Sequence, residues 1–139
     1  MKANVIEAAE QCNLVFVPEV HEPVKLATLI ASWQPGRALI YCDETAAIAN
    51  PLEALKPLQA PAAVLIGPEG GFDPSERELL MRQPYTLAIS LGPRIMRADT
   101  AAVAVLALGS SAMAAASMPI ATAVIVTIVM FQVLAAVMA

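Results

Sequence analysis

The sequence has 139 residues, of which 58% are hydrophobic and 14% charged, and its formal net charge is −4. This length and apolar content fit one domain with a buried core and exclude a largely disordered chain. The negative balance excludes a basic nucleic-acid clamp, so any contact with RNA has to come from a local cluster of basic residues.

The first half of the chain predicts helices alternating with short apolar strands. Pro18 ends one apolar run, and Pro23 suits the first position of a helix. The predicted elements are a helix over 4–12, a buried strand over 14–17, a helix over 22–33, a strand over 38–42 and a short helix over 52–56.

The second half continues the alternation with clearer signals. Asp73 is a suitable helix cap, Pro74 suits the first helical position, and Glu76 can reach back to the cap amide. The predicted elements are a strand over 62–66, a helix over 74–82, a strand over 86–90 and a helix that begins near 98.

The predicted strands start at residues 14, 38, 62 and 86. This regular interval is long enough for a strand, a crossover connection and a return to the sheet. Short, continuous apolar strands are typical of a parallel sheet that is covered on both faces. The pattern therefore predicts an α/β fold with a parallel sheet and helices on both sides.

The last 40 residues form a second segment, because every charged residue lies between Lys2 and Asp99. We expect a domain over 1–109 and an uncharged apolar helical tail over 110–139. As a helix, residues 120–139 would measure about 30 Å, enough to span a bilayer. Two other interpretations are a helix buried against the domain and a tail from a disrupted reading frame, and both rank above a membrane anchor.

The two cysteines, Cys12 and Cys42, are too few and too distant in sequence for a disulfide framework or a zinc site. We expect reduced core thiols, a cytoplasmic protein and no metal site. Glu7 and Glu10 interrupt any apolar stretch near the start, which excludes a secretory signal peptide there.

Two loops follow predicted strands and carry the residues best suited to chemistry. Residues 67–72 contain three glycines, and residues 91–97 combine a Gly-Pro pair with Arg94 and Arg97. Ligands of open parallel sheets bind at the carboxyl ends of the strands, where both loops are expected. No lysine follows Gly71 and no dinucleotide fingerprint is present, so the glycines do not indicate a pyrophosphate site.

The strings LIGPEGGF at 65–72 and SLGPRIMRADTA at 90–101 resemble the paired signature of the RsmE family. Members of that family are SPOUT-superfamily methyltransferases that modify N3 of a uridine in 16S ribosomal RNA. The resemblance covers roughly residues 3–108. It departs from the family mildly at Met96, where leucine is typical, and at Asp99, where glutamate is common.

The resemblance implies a SPOUT-type parallel sheet with a C-terminal trefoil knot, a homodimer, and S-adenosylmethionine held by the knot loops. It assigns cofactor binding to these residues: Leu65, Ile66, Gly67, Pro68, Glu69, Gly70, Gly71, Ser90, Leu91, Gly92, Ile95, Met96, Arg97 and Thr100. It also implies a ribosomal RNA partner in the 30S subunit.

Methylation of uracil N3 requires loss of an imide proton and stabilisation of the resulting anion. Arg94 and Arg97 are candidates to bind the RNA phosphate or the uracil oxygen, because guanidinium groups suit planar acceptors. Glu69 is a candidate to accept the proton. The structural alternatives are an ion pair of Arg97 with Asp99 or Glu69, and a bracing role for Glu69.

The family normally carries an N-terminal β-barrel RNA-binding domain, so we expect this chain to be N-terminally truncated and to bind RNA weakly. The leading hypothesis is an S-adenosylmethionine-dependent 16S rRNA uridine methyltransferase. The alternatives are a non-catalytic paralogue that keeps cofactor binding, a membrane-tethered domain, and a tRNA-modifying SPOUT enzyme.

Overall fold

The computed structural model describes residues 2–11, 13, 17, 19, 21–47, 50–58, 61–68, 70–115 and 128–130. These residues form five helices and four strands. In chain order they are α1 (Lys2–Gln11), α2 (Leu26–Ala31), β1 (Ala38–Cys42), α3 (Pro51–Leu55), β2 (Ala62–Ile66), α4 (Pro74–Met81), β3 (Thr86–Ile89), α5 (Ala98–Ala115) and β4 (Ile128–Met130).

The four strands form one parallel sheet in the order β3-β1-β2-β4. β1 therefore lies between β2 and β3, with Cys42 paired to Ile66 on one side and to Ile89 on the other. This arrangement confirms the predicted α/β fold and aligns the carboxyl ends of the three strands. The trefoil knot stays a prediction.

Both faces of the sheet are covered, which explains why its strands are continuous apolar runs. Alternate side chains of β1 and β2 enter two separate cores. Leu55 of α3 and Val105 of α5 pack on the core of one face. Leu26 of α2 and Leu80 of α4 pack on the other. Helices on both faces are therefore confirmed.

Helix α4 begins as its sequence predicts, with a complete capping box. The Asp73 carboxylate accepts from the Ser75 amide at 2.8 Å, and Glu76 accepts from the Asp73 amide at 3.1 Å. Two amides at the helix start thus have partners, which defines the residue at which the loop before α4 ends.

The prediction of a helix over 22–33 is wrong at its start, since α2 begins only at Leu26 and Pro23 lies outside it. The residues before Leu26 are solvent-exposed, with Val24 49% exposed, so no burial stabilises a longer helix there. The predicted strand over 14–17 falls mostly on residues outside the described part of the chain.

The tail differs from the prediction at residues 128–130. α5 continues through Gly109 to Ala115, because Ala112 packs into the core beyond the glycine. Residues 128–130, expected to be helical, instead form β4, which pairs with Val64, Leu65 and Ile66 of β2. Pairing with the backbone edge of β2 favours a strand there. Among the described helices, none is long and apolar enough to cross a membrane.

Candidate ligand site at the carboxyl edge of the sheet

Three chain segments leave the sheet side by side at its carboxyl edge. The segment after β1 begins at Asp43, residues 67–72 follow β2, and residues 90–97 follow β3. We call the second the glycine loop and the third the arginine loop. Because neighbouring strands are about 4.8 Å apart, the two loops leave the sheet about 10 Å apart, with the end of β1 between them.

The glycine loop is folded against β1. The Gly71 amide donates to the Pro68 carbonyl at 2.9 Å, and Gly71 has a φ of 74°, which favours glycine. The Phe72 ring returns over Gly67, where an added Cβ would lie 2.7 Å from the ring. The same ring meets Tyr41 of β1 edge-on, with centroids 5.2 Å apart. This loop therefore requires glycine at both 67 and 71.

Asp43 lies between the two loops and was missed by the sequence analysis. Its carboxylate accepts from the Thr45 amide at 2.9 Å, from the Thr45 hydroxyl at 2.7 Å and from Arg77 Nε at 2.9 Å. Burial alone raises the pKa of this carboxyl, but the hydrogen bonds from Thr45 and Arg77 outweigh burial and hold the pKa below its ordinary value. Asp43 is therefore ionised at neutral pH.

One local signal in the sequence points to Asp43. An aspartate that directly follows an apolar strand, with threonine two residues later, is typical of an Asx turn at a strand end. Arg77 gives no comparable signal, because it lies 34 residues further along the chain. Only the packing of α4 beside β1 brings the two side chains together.

The arginine loop is far more exposed. Gly92 has a φ of 132°, and the Ser90 hydroxyl donates to its carbonyl at 3.2 Å. Ile95 is 83% exposed, and the side chain of Arg97 is 77% exposed. The arginine loop thus presents apolar and cationic side chains to solvent.

Arg97 forms the ion pair that the sequence analysis considered as its structural alternative. Its Nη2 lies 3.5 Å from Asp99 Oδ2. The Thr100 amide donates to Asp99 Oδ1 at 2.7 Å, and this bond together with Arg97 holds the pKa of Asp99 below its ordinary value. Because both partners are exposed, the pair is weak and leaves Arg97 available to an anionic ligand.

The predicted site residues fall into three groups. Leu65 and Ile66 are buried in the core, so only their backbone can face a ligand. Glu69 lies outside the described residues. The remainder lie in the two loops or, for Thr100, at the exposed start of α5: Gly67, Pro68, Gly70, Gly71, Ser90, Leu91, Gly92, Arg94, Ile95, Met96, Arg97 and Thr100.

Cys42 ends β1 beneath this edge and is a free thiol. Burial raises its pKa to about 12, so the thiol is protonated at neutral pH and cannot serve as a nucleophile. No group of three or more metal-ligating side chains occurs within the part of the chain that the structure describes.

A cavity of about 410 Å³ opens at the opposite, amino edge of the sheet, beside Arg37, Tyr85 and Thr86. Its lining includes no residue of the glycine or arginine loop. The sequence motifs and this cavity therefore mark different ends of the same sheet.

A parallel α/β domain with two glycine-containing loops at its carboxyl edge belongs to the class of proteins that bind ligands at that edge. The family model of the RNA methyltransferase domain matches residues 1–110. The chain therefore belongs to the RNA methyltransferase domain family, as the paired signature predicted.

Three relatives carry the name ribosomal RNA small subunit methyltransferase E. The protein of Rickettsia conorii is 30% identical over 105 residues, which are 74% of this chain and 42% of the relative. The Buchnera aphidicola protein is 31% identical over 72% of this chain and 39% of its own length. The Aquifex aeolicus protein is 30% identical over 77% of this chain and 44% of its own length. The chain spans about two fifths of these relatives.

A solved structure has the same fold. It is a protein from Legionella pneumophila, described as a methyltransferase in complex with the bound cofactor SAM, that is, S-adenosylmethionine. The TM-score is 0.66 at 31% identity, and the match covers 80% of this chain and 44% of the Legionella chain. The likeness therefore extends over most of the chain.

Proposed function

We propose that this chain is the catalytic domain of an S-adenosylmethionine-dependent RNA methyltransferase that acts on N3 of a uridine in 16S ribosomal RNA. One observation carries the proposal: the parallel register of β1 with β2 and β3 brings both signature loops to the same sheet edge. The Legionella protein with bound SAM supports it, because its fold matches over 80% of this chain. A homodimer is part of the proposal.

The residues at this edge fit an adenosine cofactor. An added Cβ at Gly70 or Gly92 would meet nothing within 4 Å, so a ligand can approach the backbone at both positions. Ile95 and Met96 expose apolar surface beside Gly92, which suits the face of a purine ring. Backbone amides and carbonyls of the two loops would hold the polar edges of the cofactor.

When bound, S-adenosylmethionine supplies an electrophilic methyl group on a positively charged sulfur. Transfer forms the bond from uracil N3 to the methyl carbon, breaks the bond from sulfur to that carbon, and releases the N3 proton. Arg94 and Arg97 stabilise the charge that develops on the uracil oxygens or bind the adjoining phosphate. Glu69 is the proposed acceptor of the proton.

Calorimetry with S-adenosylhomocysteine tests the cofactor assignment. We expect one site per chain in a folded sample, and folded protein that does not bind would refute the proposal. Methyl transfer is then measured from radiolabelled S-adenosylmethionine to 30S subunits lacking the modification, to naked 16S RNA and to bulk tRNA. Nuclease digestion and mass spectrometry of the product identify the methylated atom.

The substrates separate the alternatives. Labelled 3-methyluridine in 16S RNA supports the full proposal, and label only in tRNA indicates a tRNA-modifying relative. Cofactor binding without transfer to any RNA indicates a non-catalytic paralogue. An Arg82→Gln variant serves as the matched control for arginine substitutions, because Arg82 pairs with Glu78 on the exposed surface of α4.

A further inference from the structure

Among the residues that the structure describes, Asp43 is the charged residue that is buried, and its side chain is only 3% exposed. Burial of a carboxylate is unfavourable unless hydrogen bonds and an opposite charge compensate for it. Thr45 supplies two hydrogen bonds, and the Arg77 guanidinium supplies the third and the positive charge. Because a buried carboxylate needs all of these partners, we expect it to have a role at the adjoining loops.

The Asp43–Arg77 ion pair connects the end of β1 with α4, the helix that follows the glycine loop. Asp43 directly follows β1, whereas Arg77 lies in the first turn of α4, where its amide donates to the Asp73 carbonyl at 2.9 Å. The glycine loop starts at the end of β2, which is hydrogen-bonded to β1, and it ends at α4. Both ends of the loop are therefore fixed relative to the same strand.

A second contact reaches the loop from β1. Tyr41 precedes Asp43 by two residues, so both side chains lie on the same face of the sheet. The Tyr41 ring contacts Phe72, which in turn covers Gly67. Tyr41 of β1 thus contacts the loop, and Asp43, directly after β1, contacts the helix that follows the loop.

Such bracing matters because the glycine loop is costly to order. Each residue that adopts a single backbone conformation loses conformational entropy, and glycine loses the most. A loop that is ordered before the ligand arrives does not incur this cost on binding, so affinity rises.

We propose that Asp43 and Arg77 are positioning residues that hold the glycine loop in its ligand-binding conformation before the cofactor binds. This inference rests on the proposed function for the identity of the ligand. The order of the loop in the free protein is a property of the chain itself and can be measured without any ligand.

The test compares Asp43→Asn, Arg77→Gln, Arg77→Lys and the double variant D43N/R77Q with the wild-type protein and with the Arg82→Gln control. Hydrogen–deuterium exchange is followed in the ligand-free protein, at a temperature at which every variant is folded. The reporter is the peptide that contains the Gly71 amide, which donates to Pro68 in the wild-type loop.

We expect Asp43→Asn and Arg77→Gln each to speed exchange in the glycine loop about tenfold, as loss of one charged hydrogen bond would. The double variant should exchange no faster than the faster single variant, since the two residues act as a pair. Arg77→Lys should recover part of the protection, and Arg82→Gln should leave it unchanged. Unchanged loop exchange in both single variants would overturn the inference.

Cofactor measurements then separate positioning from simple stabilisation. We expect both single variants to weaken S-adenosylhomocysteine binding about tenfold and to raise KM for S-adenosylmethionine similarly, with kcat changed less than about twofold. Faster loop exchange with unchanged cofactor affinity would refute the positioning role. A wild-type protein that binds no S-adenosylhomocysteine would instead refute the proposed function, while the exchange data still decide whether the ion pair orders the loop.

Discussion

The glycine loop and the arginine loop leave the same sheet edge on opposite sides of β1, yet they are held very differently. The glycine loop is bounded by a capped helix and contacted by Tyr41, and the Asp43–Arg77 ion pair ties the following helix to β1. The arginine loop has a local hydrogen bond between Ser90 and Gly92 and a surface ion pair of Arg97. One loop is packed against β1, and the other presents its side chains to solvent.

The difference matches two tasks within the proposed reaction. A packed loop suits a small ligand of constant shape, because little ordering is needed on binding. An exposed loop with two arginines suits a large anionic partner, because its cations can be reached and can still adjust. The comparison predicts that substitutions in the glycine loop alter stability and cofactor affinity, whereas substitution of the two exposed arginines alters methyl transfer.

The largest expected effect concerns Arg97. Arg97→Ala should lower the rate of methyl transfer about 100-fold, the usual result of removing a donor that stabilises charge in a transition state. Thermal stability should change little, because the side chain is 77% exposed. Single-turnover transfer to RNA and a melting curve measure the two quantities. Transfer within twofold of wild type would remove Arg97 from the proposed mechanism.

A smaller effect is expected at Gly67. Gly67→Ala should destabilise the protein by about 1–3 kcal/mol, because the new Cβ would overlap the Phe72 ring. Gly70→Ala is the matched control in the same loop, since a Cβ there meets nothing within 4 Å. Chemical denaturation compares the two variants. Equal free energies of unfolding for both would show that the Phe72 ring does not pack tightly over Gly67.

An effect of similar size, which depends on pH, distinguishes two aspartates. The folded-state pKa of Asp43 lies below its unfolded value of about 3.9. Its contribution to stability is therefore present above that value and is lost as pH falls through the folded-state pKa. Asp43→Asn should cost about 1–3 kcal/mol at pH 7 and progressively less below about pH 4.

Asp99→Asn is the control for this titration. Asp99 also has a lowered pKa, but it is exposed beside Arg97 and Thr100. Its substitution should change the free energy of unfolding much less than Asp43→Asn at every pH. A difference between wild type and Asp43→Asn that stays constant from pH 7 to pH 3 would contradict the assignment of the buried ion pair.

Much of the secondary structure was predictable because its signals are local. The predicted strands over 38–42 and 62–66 agree with β1 and β2, since short apolar runs bounded by turn residues mark buried parallel strands. The start of α4 agrees because Asp73 and Glu76 form hydrogen bonds within one helical turn. The two loops were also found from sequence, since glycine and arginine at strand ends carry their own signal.

The amino-acid sequence by itself thus determined the type of fold, the family and the two loops at the strand ends. Only the tertiary structure decided the strand order that brings those loops to both sides of β1, and the pairing of Asp43 with Arg77. It also decided that residues 128–130 form a strand beside β2 and not a helix. Each of these depends on contacts between residues far apart in the chain, which local propensity cannot encode.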